Sequence, residues 1–154
     1  MQTMKHLIEE VECYIDKTNQ ITLIDNYEIM YQLLANLGDL SRALRALTFS
    51  KEQQHIKSIN IFIMHSAIGD MLYQLILLSR KKGCTFVFDT EIKHATDPLY
   101  HLVVLLEKIY ANLDKDSWNE EQRWISEIVD TLRQIATKYD FTLEECLSNR
   151  IDKF

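Results

Sequence analysis

Glycine and proline are nearly absent from this chain, which has three glycines and a single proline, Pro98, in 154 residues. All-β folds spend these residues on tight turns, so their scarcity argues against a sandwich or barrel and leaves helix as the default. Cysteine is sparse as well: Cys13, Cys84 and Cys146 are odd in number and far apart. No Cys-x-x-Cys pair is present and no Cys/His grouping has zinc-ligand spacing, which speaks against a disulfide framework or a structural zinc. Reduced, structural thiols in a cytoplasmic protein are the expectation.

Basic clusters are missing too. The formal net charge is −6 and the pI near 5.3, a poor match for a nucleic-acid backbone. The longest basic run, Arg80-Lys81-Lys82, falls at the end of a predicted helix, where cations favour the dipole. No uninterrupted apolar run approaches the roughly 20 residues of a bilayer span. The opening MQTMKHLIEEVECY carries charge where a signal peptide needs an apolar centre. The sequence therefore predicts a soluble chain with neither nucleic acid nor membrane as partner.

What is present is helical patterning. Hydrophobic residues make up 47% and charged residues 26%, enough for one domain with a real core. Residues 3–17 place Leu7, Ile8, Val11 and Ile15 on one face, and Thr18-Asn19-Gln20 ends that helix. Asp25 or Asn26 caps a second helix, about 26–48, carrying Met30, Leu33, Leu34, Leu37, Leu40, Leu44 and Leu47. Ser50, with Gln53 three residues on, opens a third, about 51–82, long enough to invite a break or kink. Cys84-Thr85-Phe86-Val87-Phe88 has strand propensity but no strand to pair with, and reads as an apolar connector. Asp97 and Pro98 start a fourth helix, Ser117 with Glu120 a fifth, and Thr142 with Glu145 a last short one.

Two of the glycines stand mid-helix in matching Gly-Asp steps, Gly38-Asp39 and Gly69-Asp70. Glycine there costs about 1 kcal/mol relative to alanine, so each step asks for a reason. Close approach of another helix is one reason. A carboxylate turned towards a shared polar centre is another. The chain also repeats itself: MYQLLANLGDLSRAL (30–44) matches LYHLVVLLEKIYANL (99–113), and SAIGDMLYQL (66–75) matches SEIVDTLRQI (126–135). The second match includes polar identities, Ser66/Ser126, Asp70/Asp130 and Gln74/Gln134. These support an internal duplication, with pseudo-repeats about 26–95 and 97–154. The expected fold is an all-α bundle of about five long helices, in which two related helix pairs share one core.

Carboxylates three apart lie on one helix face, and two such pairs on facing helices make an oxygen-rich centre suited to magnesium. On these residues the chain resembles the all-α nucleoside triphosphate pyrophosphohydrolases of the MazG-like superfamily. Their pattern is an ExxE helix, an ExxD helix and a short tail with an Asn and a Lys. Residues 30–44 and 66–82 resemble the two helices, and FTLEECLSNRIDK (141–153) the tail. The resemblance places ExxE on Asn36 and Asp39, and ExxD on Ala67 and Asp70. In the second half ExxE falls on Leu105 and Lys108, while ExxD is intact as Glu127 and Asp130.

The implied metal ligands are Asp39, Asp70, Glu127 and Asp130, holding Mg2+. Asn36, Asn149 and Lys153 are the implied nucleotide or phosphate contacts. The other acidic positions of the pattern are replaced, and Lys108 brings a positive charge to one of them. A magnesium that bridges phosphates and activates water needs several carboxylates. The leading expectation is thus a divergent relative with an eroded magnesium site that binds a nucleotide without efficient hydrolysis. An active pyrophosphohydrolase using the reduced set is the enzyme alternative. A helical interaction module docking through residues 84–88 is another.

Plainer readings stand beside these. Glu127 and Asp130 form an exposed acidic face in one of them, and His65 and His101 are structural. Tyr14, Tyr73, Trp118 and Trp124 are core aromatics as readily as a base-stacking pocket. Glu9 and Glu12 also mimic ExxE, which would turn Asn36 and Asp39 into the ExxD helix but leave Gly69-Asp70 without a role. In the family the bundle is commonly assembled from two chains; a fused duplication would supply both halves from one, and a homo-oligomer remains among the expected states.

Overall fold

A computed structural model describes residues 2–49, 54–88 and 95–154. The described residues form seven α-helices and no strand: α1 Met4–Lys17, α2 Gln20–Leu23, α3 Asn26–Phe49, α4 Gln54–Lys81, α5 Pro98–Ala111, α6 Gln122–Lys138 and α7 Leu143–Ile151. The all-α architecture matches the sequence reading. The two elements beyond the five long helices are the single turn α2 and the short tail helix α7.

Helix starts follow their capping chemistry. Thr3 Oγ1 accepts from the His6 amide at 3.2 Å, and Asp25 Oδ1 accepts from the Tyr27 amide at 2.7 Å. Asp97 Oδ1 accepts from the Tyr100 amide at 3.1 Å with Pro98 in the first turn, and Thr142 Oγ1 accepts from the Glu145 amide at 3.1 Å. Each satisfies an amide that the helix itself cannot. After α1 the chain turns through Asn19 in the left-handed region, φ 56°, and that turn nucleates α2. The expected cap at Ser50 lies outside the described residues.

The cap expected at Ser117 is not used, and α6 begins at Gln122 instead. Burial of Trp118 is the reason. Its indole Nε1 donates to the Asn112 carbonyl at 3.1 Å, and its backbone amide donates to the Lys82 carbonyl at 3.1 Å. Glu121 then satisfies the turn, accepting from the Asn119 amide at 3.1 Å and from the Lys115 ammonium. Lys115 beside it holds the Glu121 carboxyl below the usual carboxylate range.

α4 is the axis of the molecule, packed against α3, α7, α1, α6 and α2. It runs unbroken as one helix over Gln54–Lys81. Residues Ile56–Lys81 are long and apolar enough to cross a membrane by length and composition, against the expectation from uninterrupted runs. Most of that stretch is instead covered by neighbouring helices: Met64, Ile68, Met71, Leu72, Leu75, Ile76 and Leu78 are fully buried. The basic run at its end does more than complement the dipole. Arg80 pairs with Glu12 at 3.3 Å and with Asp16, and Lys81 donates to the carbonyls of Ile21 and Ile24.

Lys82 is buried and donates its ammonium to the carbonyls of Leu113 and Lys115, tying the α5–α6 connection to the end of α4. Burial lowers its pKa from the ordinary lysine value. Beyond Gly83 (φ +66°), the partly buried Cys84, Phe86 and Phe88 pack against the core.

The two mid-helix glycines have different surroundings. A Cβ on Gly69 would lie 2.5 Å from the Cys146 carbonyl oxygen and 3.2 Å from its carbon, because α7 rests directly on α4 there. A Cβ on Gly38 would meet only the flexible tip of Arg42, at 3.9 Å. Backbone cannot yield as a side-chain tip can. Gly69→Ala is therefore expected to lower stability by about 1–3 kcal/mol in urea unfolding, the range for overpacking. Lys82→Met, which strips two buried carbonyls of their charged donor, is expected to cost about 2 kcal/mol in the same assay.

Candidate functional site

Between α3 and α4, beneath the end of α7, lies a cleft of about 500 Å³. Asn36, Asp39 and Arg42 face it from α3, Asn60, Phe62, Ser66 and Asp70 from α4, and Arg150 and Lys153 from the tail. Helical spacing explains the first set: 36 and 39, with 42 beyond, succeed one another every three residues along one side of α3. Gly69 explains the last, since only a residue without a side chain lets α7 come down far enough for Arg150 to reach Asp70.

Asp70 is the centre of the arrangement. Its Oδ2 accepts from Asn36 Nδ2 at 2.8 Å and Gln32 Nε2 at 3.0 Å, while Oδ1 accepts from Arg150 Nε at 3.0 Å. Asn36, itself buried, also accepts from Gln32 at 3.2 Å, which closes a three-residue network across the α3–α4 seam. Arg150 is held from behind by aromatic faces, its guanidinium carbon 4.5 Å from the Tyr73 ring centre and 5.4 Å from that of Phe154. Cation–π contact of this kind fixes the guanidinium plane. Burial raises the Tyr73 pKa above its ordinary value, with Tyr14 adding and Arg150 opposing. Among the described residues, the Arg150 guanidinium donates through Nε, to Asp70, which leaves its outer nitrogens to face the cleft.

Asp39 sits at the rim, 48% exposed and paired with Arg42. Asp39 and Asp70 thus line one cleft, as the duplicated Gly-Asp steps suggested. They do not form a bare like-charge pair, because each already has its own arginine.

The other sequence-predicted residues are elsewhere. Glu127 lies near His101, 3.8 Å away, on the partly exposed α5–α6 side. Asp130 is buried and accepts from Arg133 at 3.2 Å; the same arginine donates to the Phe88 carbonyl at 3.1 Å and so secures the connector. Neither carboxylate lines the Asp39/Asp70 cleft. Asn149 contacts His65 Nδ1 at 3.1 Å and faces a separate cavity with Glu144 and Glu145. Of the three implied phosphate contacts, Asn36 and Lys153 reach the cleft and Asn149 does not.

The residues in the cleft do not suit magnesium. That ion takes oxygen ligands at about 2.1 Å in octahedral geometry. Both oxygens of Asp70 already accept from N–H donors, one of them a guanidinium, and Asp39 is turned to Arg42. Among the described residues, no three of His, Cys, Asp and Glu converge on one point. The four implied metal ligands therefore do not assemble into a single centre. No cysteine lines the cleft, and burial pushes the pKa of Cys146 and Cys84 up.

What the sequence reading missed is the cationic side: Arg42, Arg150 and Lys153 set against Asp39 and Asp70. Arg42 was visible three residues after Asp39. Arg150 stood between the two tail positions singled out, Asn149 and Lys153, but only the fold turns it inward. Comparison with family models, with curated proteins and with solved structures finds no match in any of the three.

The two carboxylates should differ sharply on removal. Asp70→Ala leaves the Arg150 guanidinium and two amides without their acceptor and is expected to cost about 1–3 kcal/mol. Asp39→Ala removes an exposed pair and should fall within about 1 kcal/mol of wild type in the same urea titration.

Proposed function

We propose that the α3–α4 cleft binds a phosphate-bearing small molecule of the nucleotide class, without a metal-centred hydrolytic step. The observation that carries this reading is the charge balance: three cations face the cleft against two carboxylates that are already paired. Arginine presents several N–H donors in a planar fork matched to phosphate oxygens, and Arg150 is pre-oriented by Asp70 and Tyr73 before any ligand arrives. Preorganisation of this sort lowers the ordering cost of binding. Lys153 adds a mobile point charge. Phe62, two-thirds exposed at the cleft wall, offers an aromatic face to a base. The resemblance of 30–44, 66–82 and 141–153 to the pyrophosphohydrolase motifs names the ligand class. The replaced acidic positions, together with the committed oxygens of Asp70, argue for binding over cleavage.

Thermal unfolding with nucleoside mono-, di- and triphosphates in the presence of a chelator tests this. A ligand at about ten times its Kd adds about 1.4 kcal/mol, or about 3–6 °C for a domain of this size. That rise is expected without divalent metal and is expected to disappear in Lys153→Gln and Arg150→Gln. Magnesium alone should leave Tm unchanged. Robust magnesium-dependent release of pyrophosphate, abolished by Asp70→Ala, would overturn the reading in favour of an active pyrophosphohydrolase.

A further inference from the structure

Gly38 has no internal justification. It costs α3 about 1 kcal/mol relative to alanine, yet nothing within the molecule approaches it closely. Its position supplies the reason. Gly38 continues a stripe along the outer side of α3 that includes Tyr27, Tyr31 and Leu34, all exposed, at helical spacing. Alongside runs α5, joined to α3 at one end by the edge-to-face contact of Tyr27 with Tyr110. At the other end the two helices meet around a common cavity with Leu44 and Leu99. Its outer side repeats the pattern with Tyr100, Val103 and Tyr110 exposed, and Tyr100 and Val103 are the repeat equivalents of Tyr31 and Leu34. Tyr31 is 61% and Tyr100 67% exposed. Scattered apolar residues need no explanation, but two adjacent helices with matched apolar stripes do.

The ends of the α3 stripe carry opposite charge. Glu28 stands at one end, next in sequence to Tyr27, whose hydroxyl donates to Asp114 at 3.0 Å; Arg45 stands at the other. Such a stripe is self-complementary under a two-fold. Laid antiparallel on its own copy, α3 brings Glu28 opposite Arg45 at both ends, and Ala35 opposite Gly38 at the crossing. Small residues at a crossing let two backbones approach closely, the one thing a helix gains from Gly38.

We propose that this face is covered by a second copy of the chain, in a two-fold dimer centred on an antiparallel α3–α3 contact at Ala35 and Gly38. A two-fold interface needs one patch that complements itself, which this polarity provides. The stripe from Tyr27 to Arg45 is about 27 Å long at 1.5 Å per residue and about 10 Å wide. With α5 beside it, two copies cover about 1,000 Å² in projection, near the lower limit for a specific interface. The contact lies on the outside of the bundle and borders the cleft rim, since this register sets Asp39 and Arg42 opposite Leu34 and Tyr31 of the second copy. It stands whether or not the nucleotide reading holds.

Sedimentation equilibrium from about 1 to about 100 µM protein tests it, a range bracketing micromolar dissociation. Wild type is expected to be a dimer with a Kd in that range. Leu34→Glu, a change at an exposed position, should raise Kd at least tenfold while circular dichroism stays unchanged. Glu28→Arg and Arg45→Glu should each weaken the dimer, and the double variant should restore it to within about threefold, a pattern only antiparallel pairing produces. A monomer throughout the range, a dimer indifferent to Leu34→Glu, or a double variant no better than the singles would each overturn the proposal.

Discussion

The backbone of α7 rests on α4 at Gly69, and the geometry of the cleft follows from that contact. Any side chain at this position would occupy the space of the Cys146 carbonyl. Because none is there, the tail helix comes down far enough for Arg150 to reach Asp70 and to stack on Tyr73. Phe154 completes the seating, stacked on Tyr14 of α1 at 3.8 Å between ring centres. One missing methyl group thus couples the N-terminal helix, the central helix and the tail. The local cost of glycine in a helix, about 1 kcal/mol, is offset by the packing it permits.

The same contact decides the chemistry of the cleft. A carboxylate between two helices can serve a metal or hold protein donors, and a guanidinium already paired with it favours the second. Asp70 accepts three N–H donors, one of them charged, so its oxygens serve to hold the donors in place. Its role is that of a positioning residue. It orients Arg150, and through Asn36 and Gln32 it fixes the seam between α3 and α4. Asp70 thus holds a side-chain cation in place, and three cations face the cleft beside two carboxylates. On α6, Asp130 is likewise engaged with its own arginine, Arg133, which fastens the connector.

Local signals made much of the fold legible. The buried face of α1, the Asp97-Pro98 start of α5 and the Thr142 cap are each written within four or five residues of sequence, and all-α class followed from the shortage of turn residues. The matched Gly-Asp steps pointed to a common polar centre for Asp39 and Asp70; both line the cleft, but Asp39 is half exposed at its rim. Tertiary competition accounts for the misses. Ser117 and Glu120 form a sound capping box, but burying Trp118 is worth more than a cap and moved the helix start to Gln122. Lys82 read as a helix-end cation, yet two carbonyls from a distant connection draw it inside. Arg150 could not be assigned from spacing at all, because its partner lies eighty positions away and only the Gly69 contact brings the two together.

The central claim is that Asp70 and Arg150 act as one unit across the α4–α7 contact. A double-mutant cycle in urea unfolding, with Asp70→Asn, Arg150→Gln and the pair, measures that coupling directly. Sites that share no interaction add to within about 0.3–0.5 kcal/mol. The structure predicts a coupling of about 1 kcal/mol or more, with the second substitution costing far less once the first is made. Simple additivity of the two losses would contradict the account.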